Sequence, residues 1–213
     1  MTIVKLAIFS MSISEQYDKL RIETLSPLAK RIERHIQQTL LKAKRIDRIT
    51  SRAKSTERFA AKAEKHTNGV VKYDDPLSQI QDQIGARIVV FYLADVERVS
   101  VEIERYFRPI EAQMIVPDSD AEFSYFGKHY ILLIPSDVYD DDLPFCKGPR
   151  FFELQIKTLF QHAWSEAEHD LGYKPSTVLS SGQRRHIAFS AAQAWGADMI
   201  FDQLHRDVDG ASR

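Results

Sequence analysis

Nine residues, Arg150-Phe151-Phe152-Glu153-Leu154-Gln155-Ile156-Lys157-Thr158, constrain this chain more than any other stretch. They alternate with the two-residue period of a β-strand. Phe152, Leu154 and Ile156 fall on one face, and Glu153, Gln155 and Lys157 on the other. An acid, an amide and a base in one row are costly to bury, so that row faces water or a charged ligand. The strand runs directly into a polar helical segment, Leu159 to Leu171, which contains Gln161-His162-Ala163-Trp164-Ser165-Glu166-Ala167-Glu168-His169-Asp170. Two crowded polar arrays in succession suggest a site. A solvent-facing edge strand would show the same outward row, so the pattern alone leaves both readings open.

The chain has 213 residues, 44 % of them hydrophobic, which suffices for one domain with a full core and helical additions. That domain is expected over residues 14–206, with tails at 1–13 and 207–213. The net charge of −1 gives no global attraction to nucleic acid or membrane, although local patches can still act. The single cysteine, Cys146, excludes an intrachain disulfide framework and fits a reducing, cytoplasmic compartment. It lies beside Pro144, Lys147 and Gly148 and reads as an incidental loop residue. Met1 to Ser10 is apolar but too short to span a membrane, and it has no signal-cleavage pattern; Met11 is an alternative start. No membrane association is expected.

Ser14 to about Glu23 is predicted helical. Ser26-Pro27 has the form of an N-cap with proline at the first helical position, and Leu28, Ile32, Ile36 and Leu40 then recur at helical spacing to about Lys44. Its opposite face, Lys30, Arg31, Arg34 and Gln37, reads as solvated. Residues 66–76 are predicted as a loop, marked by Asn68-Gly69 and Asp74-Asp75-Pro76. A short helix to Gln83 follows, then a strand from Ala86 to Leu93, apolar enough to be buried on both faces. Asp95 is predicted to cap a helix whose inner face is Val96, Val99, Ile103 and Phe107. Pro117 to Glu122 is read as a loop, and His129 to Ile134 as a strand stopped by Pro135. Val138 to Pro149 is read as an acidic, mobile loop. Gly182 to Arg206 is read as a helix with Ile187, Ala191, Ala194 and Trp195 inward. The pattern implies an α+β fold: a small mixed β-sheet of about five strands, helices on its face, and N- and C-terminal helical extensions.

Arg45 to Lys65 is strongly basic: Arg45, Arg48, Arg52, Lys54, Arg58, Lys62 and Lys65 outnumber Asp47, Glu57 and Glu64. Its second half, Thr56 to Lys65, is predicted helical, with Lys54, Arg58 and Lys62 four apart on one face. Like charges so stacked repel unless a polyanion sits among them. A phosphate-rich ligand and a plain surface stripe both account for this segment.

Five motifs then fall in order. They are Arg52-x-Lys54-Ser55, with Lys62 eight beyond Lys54; Asp82-x-x-Gly85-x-Arg87; Tyr125-x-x-x-His129; Glu153-x-Gln155-x-Lys157-Thr158; and His162-x-x-x-Glu166-x-x-His169-Asp170 with Tyr173-Lys174. Their order and spacing resemble the synthetase domain of the RelA/SpoT family, and more narrowly the small alarmone synthetases and their toxic relatives, from about Ser14 to Arg206. The resemblance implies a pyrophosphokinase that moves the β,γ-pyrophosphate of ATP to the ribose 3′-hydroxyl of GDP or GTP, leaving AMP. It implies that Arg52 and Arg87 clamp the adenine, and that Lys54 and Lys62 hold the ATP phosphates beside Ser55. Asp82 and Glu153 would bind Mg²⁺. Glu153 and Gln155 would position the 3′-hydroxyl, with Glu153 as base. Tyr125 would stack on the acceptor base, and Lys128, His129, Lys157, His162 and Glu166 would line the acceptor side. A zinc site at His162, Glu166 and His169 is the lesser alternative, because the spacing is not that of zinc peptidases.

Three departures from the family pattern bear on the acceptor. Lys157 stands where the family usually has arginine, which keeps the charge but loses the bidentate fork. The loop Ser124-Tyr125-Phe126-Gly127-Lys128-His129 lacks the usual leading glycine and the serine after the tyrosine, and Lys128 adds a cation. Toxic members resemble this split, so a tRNA 3′ CCA end or an adenine nucleotide is an alternative acceptor, with an antitoxin protein as partner. A third reading is a catalytically silent nucleotide or RNA sensor. The intact acidic and basic motif residues argue against it.

Overall fold

The computed structural model describes residues 11–67, 69–117, 119, 122–124, 126–139, 142, 149–172 and 178–211. Met1–Ser10, Tyr125, Cys146 and the Tyr173-Lys174 pair lie outside the described residues. The chain opens with α1 (Ile13–Leu20), whose capping box joins Ser12 and Glu15. A π-helical turn, Arg21–Leu25, leads without interruption into α2 (Ser26–Thr39). Ser26-Pro27 therefore does not begin a helix, contrary to the expectation. Pro27 has no N–H to give, and the wider turn before it lets Ser26 N–H reach back to Arg21 O.

Next come β1 (Ile46–Ala53) and α3 (Thr56–Ala63), capped by the Ser55 hydroxyl. The predicted loop at 66–76 contains a small hairpin, β2 (His66–Thr67) with β3 (Val70–Val71). After α4 (Pro76–Gln79) come β4 (Ile84–Val90), α5 (Leu93–Tyr106), β5 (Pro109–Ile115) and β6 (Gly127–Leu133). The chain closes with β7 (Phe151–Thr158), α6 (Leu159–Gly172) and α7 (Ser181–Ala211). The fold is α+β, with a five-stranded mixed sheet in the order β1-β4-β7-β6-β5. Only the β4–β7 pair is parallel; β1–β4, β7–β6 and β6–β5 are antiparallel.

The strand β7 is thus interior, flanked by β4 and β6, which removes the edge-strand reading of its polar row. Phe152, Leu154 and Ile156 are wholly buried on the back face with Ile84, Ala86, Ile88 and Val90 of β4. The apolar stripe of α2 (Leu28, Ile32, Ile36) and that of α5 (Val96, Val99, Ile103) complete this core. The polar row of β7 is left for the front face, where α6 passes over β7 and β4 and packs on α7.

Three elements depart from the sequence reading. β4 stops at Val90, and Phe91 is exposed, because Tyr92 already caps α5. Asp95 is not the N-cap residue itself but sits at N3, fully buried, where its carboxylate accepts from Tyr92 N–H (3.3 Å) in a capping box and also binds the guanidinium groups of Arg45 (3.0 Å) and Arg98 (2.7 Å). That pairing helps hold Arg45 in the left-handed region (φ 61°), a conformation that costs a side-chain-bearing residue about 1 kcal/mol. Trp195 is half-exposed rather than inward, and α7 continues past Arg206 to Ala211. Asp202 of α7 accepts from Ala94 N–H at 2.8 Å, so α7 supplies a carboxylate to the N-terminus of α5.

Candidate active site

The front face of β1, β4, β7 and β6, roofed by α6, forms a cleft of ≈ 800 Å³. The sheet register aligns the predicted residues across it. Arg52 pairs with Gly85, Arg87 with Gln155, and His129 with Gln155 from the other side. Because strands alternate, Glu153, Gln155 and Lys157 all point into the cleft from one strand.

On the donor side, Lys54 lies between β1 and α3 and Lys62 on the last turn of α3. Their ammonium groups meet on one oxygen, Asp82 Oδ2, at 2.7 and 2.8 Å. The predicted single helical face of Lys54, Arg58 and Lys62 is therefore replaced by convergence from two elements. Burial alone would raise the Asp82 carboxyl, but the two lysines outweigh it and hold the group below the usual carboxylate range. Asp82 Oδ1 is buried and accepts no hydrogen bond among the described residues. Tyr17 braces this corner: its ring stacks on Phe59 of α3 at 3.7 Å, and its hydroxyl donates to Lys54 O at 3.0 Å. Ser55 lines the cleft, but its hydroxyl is already occupied in capping α3.

On the catalytic row, Glu153 Oε1 lies 3.1 Å from His129 Nδ1, and Gln155 Nε2 donates to Glu153 Oε2 at 3.3 Å. Burial pushes the Glu153 carboxyl up, yet His129 pulls it further down, so the net shift is downward and the group is an anion at neutral pH. Gln155 Oε1 is buried without a donor. Across the cleft, Arg87 Nη1 donates to Glu166 Oε1 at 2.6 Å and approaches His162 Nδ1 at 3.2 Å. Burial and Arg87 both depress the His162 imidazolium. Burial raises Glu166 but Arg87 more than offsets it.

Lys157 is only 3 % exposed; its amine donates to Ser165 Oγ at 3.1 Å, and burial, with Arg87 nearby, pulls it down to about 7. Ser165 is a cleft residue that the sequence reading did not single out. It is a small residue on a helix, eight positions from its partner, and nothing in its local sequence marks it. Arg48 and Arg58, read only as part of the basic segment, also line the cleft.

One predicted site residue points elsewhere. Lys128 neighbours His129 on β6 and so projects to the opposite face, where its amine meets Glu97 (3.4 Å) and Glu104 (3.8 Å) of α5. It does not add a cation to the cleft.

The donor set suits a hard divalent cation. Asp82 Oδ1 is an anionic oxygen lacking a partner, and Glu153 is close enough to Asp82 for the two charges to repel. Among the described residues no group of three or more His, Cys, Asp or Glu side chains could hold a metal. Two carboxylates suit Mg²⁺, which is commonly bound by one or two carboxylates together with substrate phosphates. Among the described residues no helix is long and apolar enough to cross a membrane.

The family model described as the region found in RelA / SpoT proteins matches residues 51–177. That span runs from β1 past α6 and contains most of the cleft. Solved structures of similar fold include a GTP pyrophosphokinase family protein from Streptococcus pneumoniae (TM-score 0.71, 21 % identity, covering 94 % of this chain and 97 % of that one). Another is smu.1046c from Streptococcus mutans UA159 (TM-score 0.65, 25 % identity, 87 % and 96 %). A third is small alarmone synthetase 1 from Bacillus subtilis bound to its product pppGpp (TM-score 0.68, 18 % identity, 92 % and 97 %). No curated protein matches the sequence. The chain belongs to the RelA/SpoT family and is a pyrophosphotransferase built on the small alarmone synthetase fold.

Proposed function

We propose that this protein transfers the β,γ-pyrophosphate of ATP to the ribose 3′-hydroxyl of GDP or GTP, giving (p)ppGpp and AMP. One observation carries the reading: Lys54 and Asp82, whose carboxylate Lys62 also holds, and the His129–Glu153–Gln155 row line one cleft. The first matches a triphosphate and the second a hydroxyl. The Streptococcus pneumoniae and Bacillus subtilis proteins of this fold, a GTP pyrophosphokinase family protein and a pppGpp-bound synthetase, point to the same acceptor class.

Arg52 and Arg87 supply flat, permanently charged guanidinium faces for adenine. Lys54 and Lys62 exchange Asp82 for the ATP phosphates, and Asp82 is released as an oxygen ligand. Mg²⁺ bound by Asp82 and Glu153 would neutralise charge building on the phosphates. The Glu153 carboxylate accepts from the acceptor 3′-hydroxyl and orients its oxygen toward the β-phosphorus, and Gln155, whose Nε2 donates to Glu153 Oε2, helps position the pair. The new bond is O3′–Pβ and the broken one joins Pβ to the α,β-bridging oxygen, so AMP leaves. The hydroxyl proton passes to the Glu153 carboxylate, which His129 holds in place.

A polynucleotide end is the second acceptor. Arg48 and Arg58 favour it, because they add two cations to a cleft whose lysines already serve a triphosphate. Such an enzyme would need restraint by a partner protein of the antitoxin kind. The test is incubation of the purified chain with γ-³²P-ATP and GDP, GTP, AMP or bulk tRNA. Label on GDP or GTP is expected. Label on tRNA alone would replace the first reading with the second, and no label on any acceptor would sink both.

A further inference from the structure

A second cavity, of ≈ 440 Å³, lies between α6, α7 and the segment leading into β6. None of the residues that line it lines the cleft. Its walls are mostly apolar, with Ser119, Glu122, Ser124 and Gln161 as the polar lining besides Asp198. Phe123 and Phe126 come from the segment before β6, Trp164 from α6, and Trp195 and Met199 from α7. The Phe123 and Trp195 rings are already tilted together at 5.8 Å, while the Trp164 indole N–H is spent on Ser190 Oγ at 3.1 Å.

Among these walls sits one buried carboxylate. Asp198 is 2 % exposed, its Oδ2 accepts from Thr158 Oγ1 at 2.8 Å, and its Oδ1 has no donor among the described residues. Burial, with Asp202 adding to it against the Thr158 bond, pushes its carboxyl up to about 6. An acceptor left unmade in an apolar surround costs about 1–3 kcal/mol.

We propose that this cavity binds a flat N-heterocycle carrying an N–H donor, stacked between the aromatic walls and hydrogen-bonded to Asp198 Oδ1, and that filling it acts on the acceptor side of the cleft. Aromatic faces suit a planar ligand, and a single donor suits the single free oxygen. The route to the cleft is short. Thr158, which donates to Asp198, directly follows Lys157. It also exchanges two hydrogen bonds with Gln161, the neighbour of His162. Phe123 and Phe126 belong to the same segment that leads to His129. The coupling rests on the transferase reading of the cleft; the binding does not.

Both tryptophans of the chain line this cavity, so intrinsic fluorescence reports on it directly. The full chain is titrated with 2-aminobenzimidazole and with 1-methylbenzimidazole, which is equally flat but has no N–H. A saturable change with the first is expected, with about tenfold weaker binding of the second, the size of one hydrogen bond. Asp198→Asn, which turns a donor toward the ligand, should lose about the same factor. Ala194→Phe, which fills the space, should abolish the signal, and both variants should bind ATP normally by calorimetry. In label transfer, saturating 2-aminobenzimidazole should shift acceptor KM about fivefold or more and leave the KM for ATP in place. Absence of a saturable change, or equal binding of the two compounds, overturns the site. Binding that leaves acceptor KM untouched overturns the coupling. A chain without transfer activity would count against the proposed function, while the fluorescence titration would still decide the site.

Discussion

Glu153 of β7 and His129 of β6 face each other across neighbouring strands, with Oε1 and Nδ1 3.1 Å apart. The imidazole holds the carboxylate and keeps it ionised, as the proposed base requires. Glu153→Gln should lower the transfer rate by about 10²–10⁴-fold, the usual worth of a positioned acid–base group, with the fold intact. His129→Ala should act in the same direction and raise the apparent pKa of the rate profile, since the carboxylate loses the partner that depresses it. Single-turnover label transfer across pH 5–9 measures both. A Glu153→Gln enzyme at full rate removes the base assignment.

Lys54 and Lys62 share one Asp82 oxygen. Lys54→Ala should weaken ATP by about tenfold or more, as expected for loss of a charge-assisted hydrogen bond, and leave acceptor binding nearly unchanged. Asp82→Asn should abolish transfer while circular dichroism remains native. Normal ATP affinity in an Arg52→Ala/Lys54→Ala chain by calorimetry would return the basic segment to a solvated surface.

The lowered Lys157 amine makes stability depend on pH. Its folded value of about 7 lies below its ordinary 10.5, so between those values the unfolded chain binds more protons and stability rises with pH. Lys157→Met removes the titration. It should be the more stable protein at pH 7, with an advantage that shrinks toward pH 10. Lys157→Arg restores the residue usual in the family but cannot shed its charge, so in this pocket it should be destabilising. Urea midpoints at pH 7 and 9.5 test the pair. Parallel pH dependence of wild type and Lys157→Met would refute the assignment.

Asp198 titrates in the opposite sense. Its folded value of about 6 exceeds the ordinary 3.8, so the folded state holds the proton more tightly and the wild-type chain is penalised as pH rises through 4 to 6. The penalty is of the order of 2–3 kcal/mol at neutral pH. Asp198→Asn keeps an acceptor for Thr158 and has no such titration. Its stability relative to wild type should therefore grow from pH 4 to pH 7 and then level off, as thermal melts would show.

Salt separates the acceptors. Transfer to GTP should fall shallowly with added salt. Transfer to an RNA end gripped through Arg48 and Arg58 as well should fall steeply, because each phosphate contact releases counterions. Arg48→Ala/Arg58→Ala should flatten the steep curve and leave the shallow one unchanged. A shared slope for both acceptors would remove the RNA-specific role of these arginines.

The sequence alone carried the polar row of β7, the donor cations and the α+β class. Each follows from local rules: alternation puts Glu153, Gln155 and Lys157 on one face whatever the strand packs against, and ordered motifs survive without coordinates. What it could not give was direction across space. The edge strands β1 and β5 do not show in the sequence, because β1 mixes charged and polar residues with two isoleucines and pairs only through β4, and β5 is almost wholly exposed. Lys128 was placed with His129 although one step along a strand reverses the side chain. Asp95 caps from the N3 position rather than as the N-cap, and two arginines from distant and neighbouring positions share its carboxylate. Whether β7 was an edge or the interior strand, and whether Ser165 and Asp198 meet Lys157 and Thr158, were settled only by tertiary structure. Those facts depend on which surfaces exclude water from one another, and that is a property of the folded whole rather than of any segment.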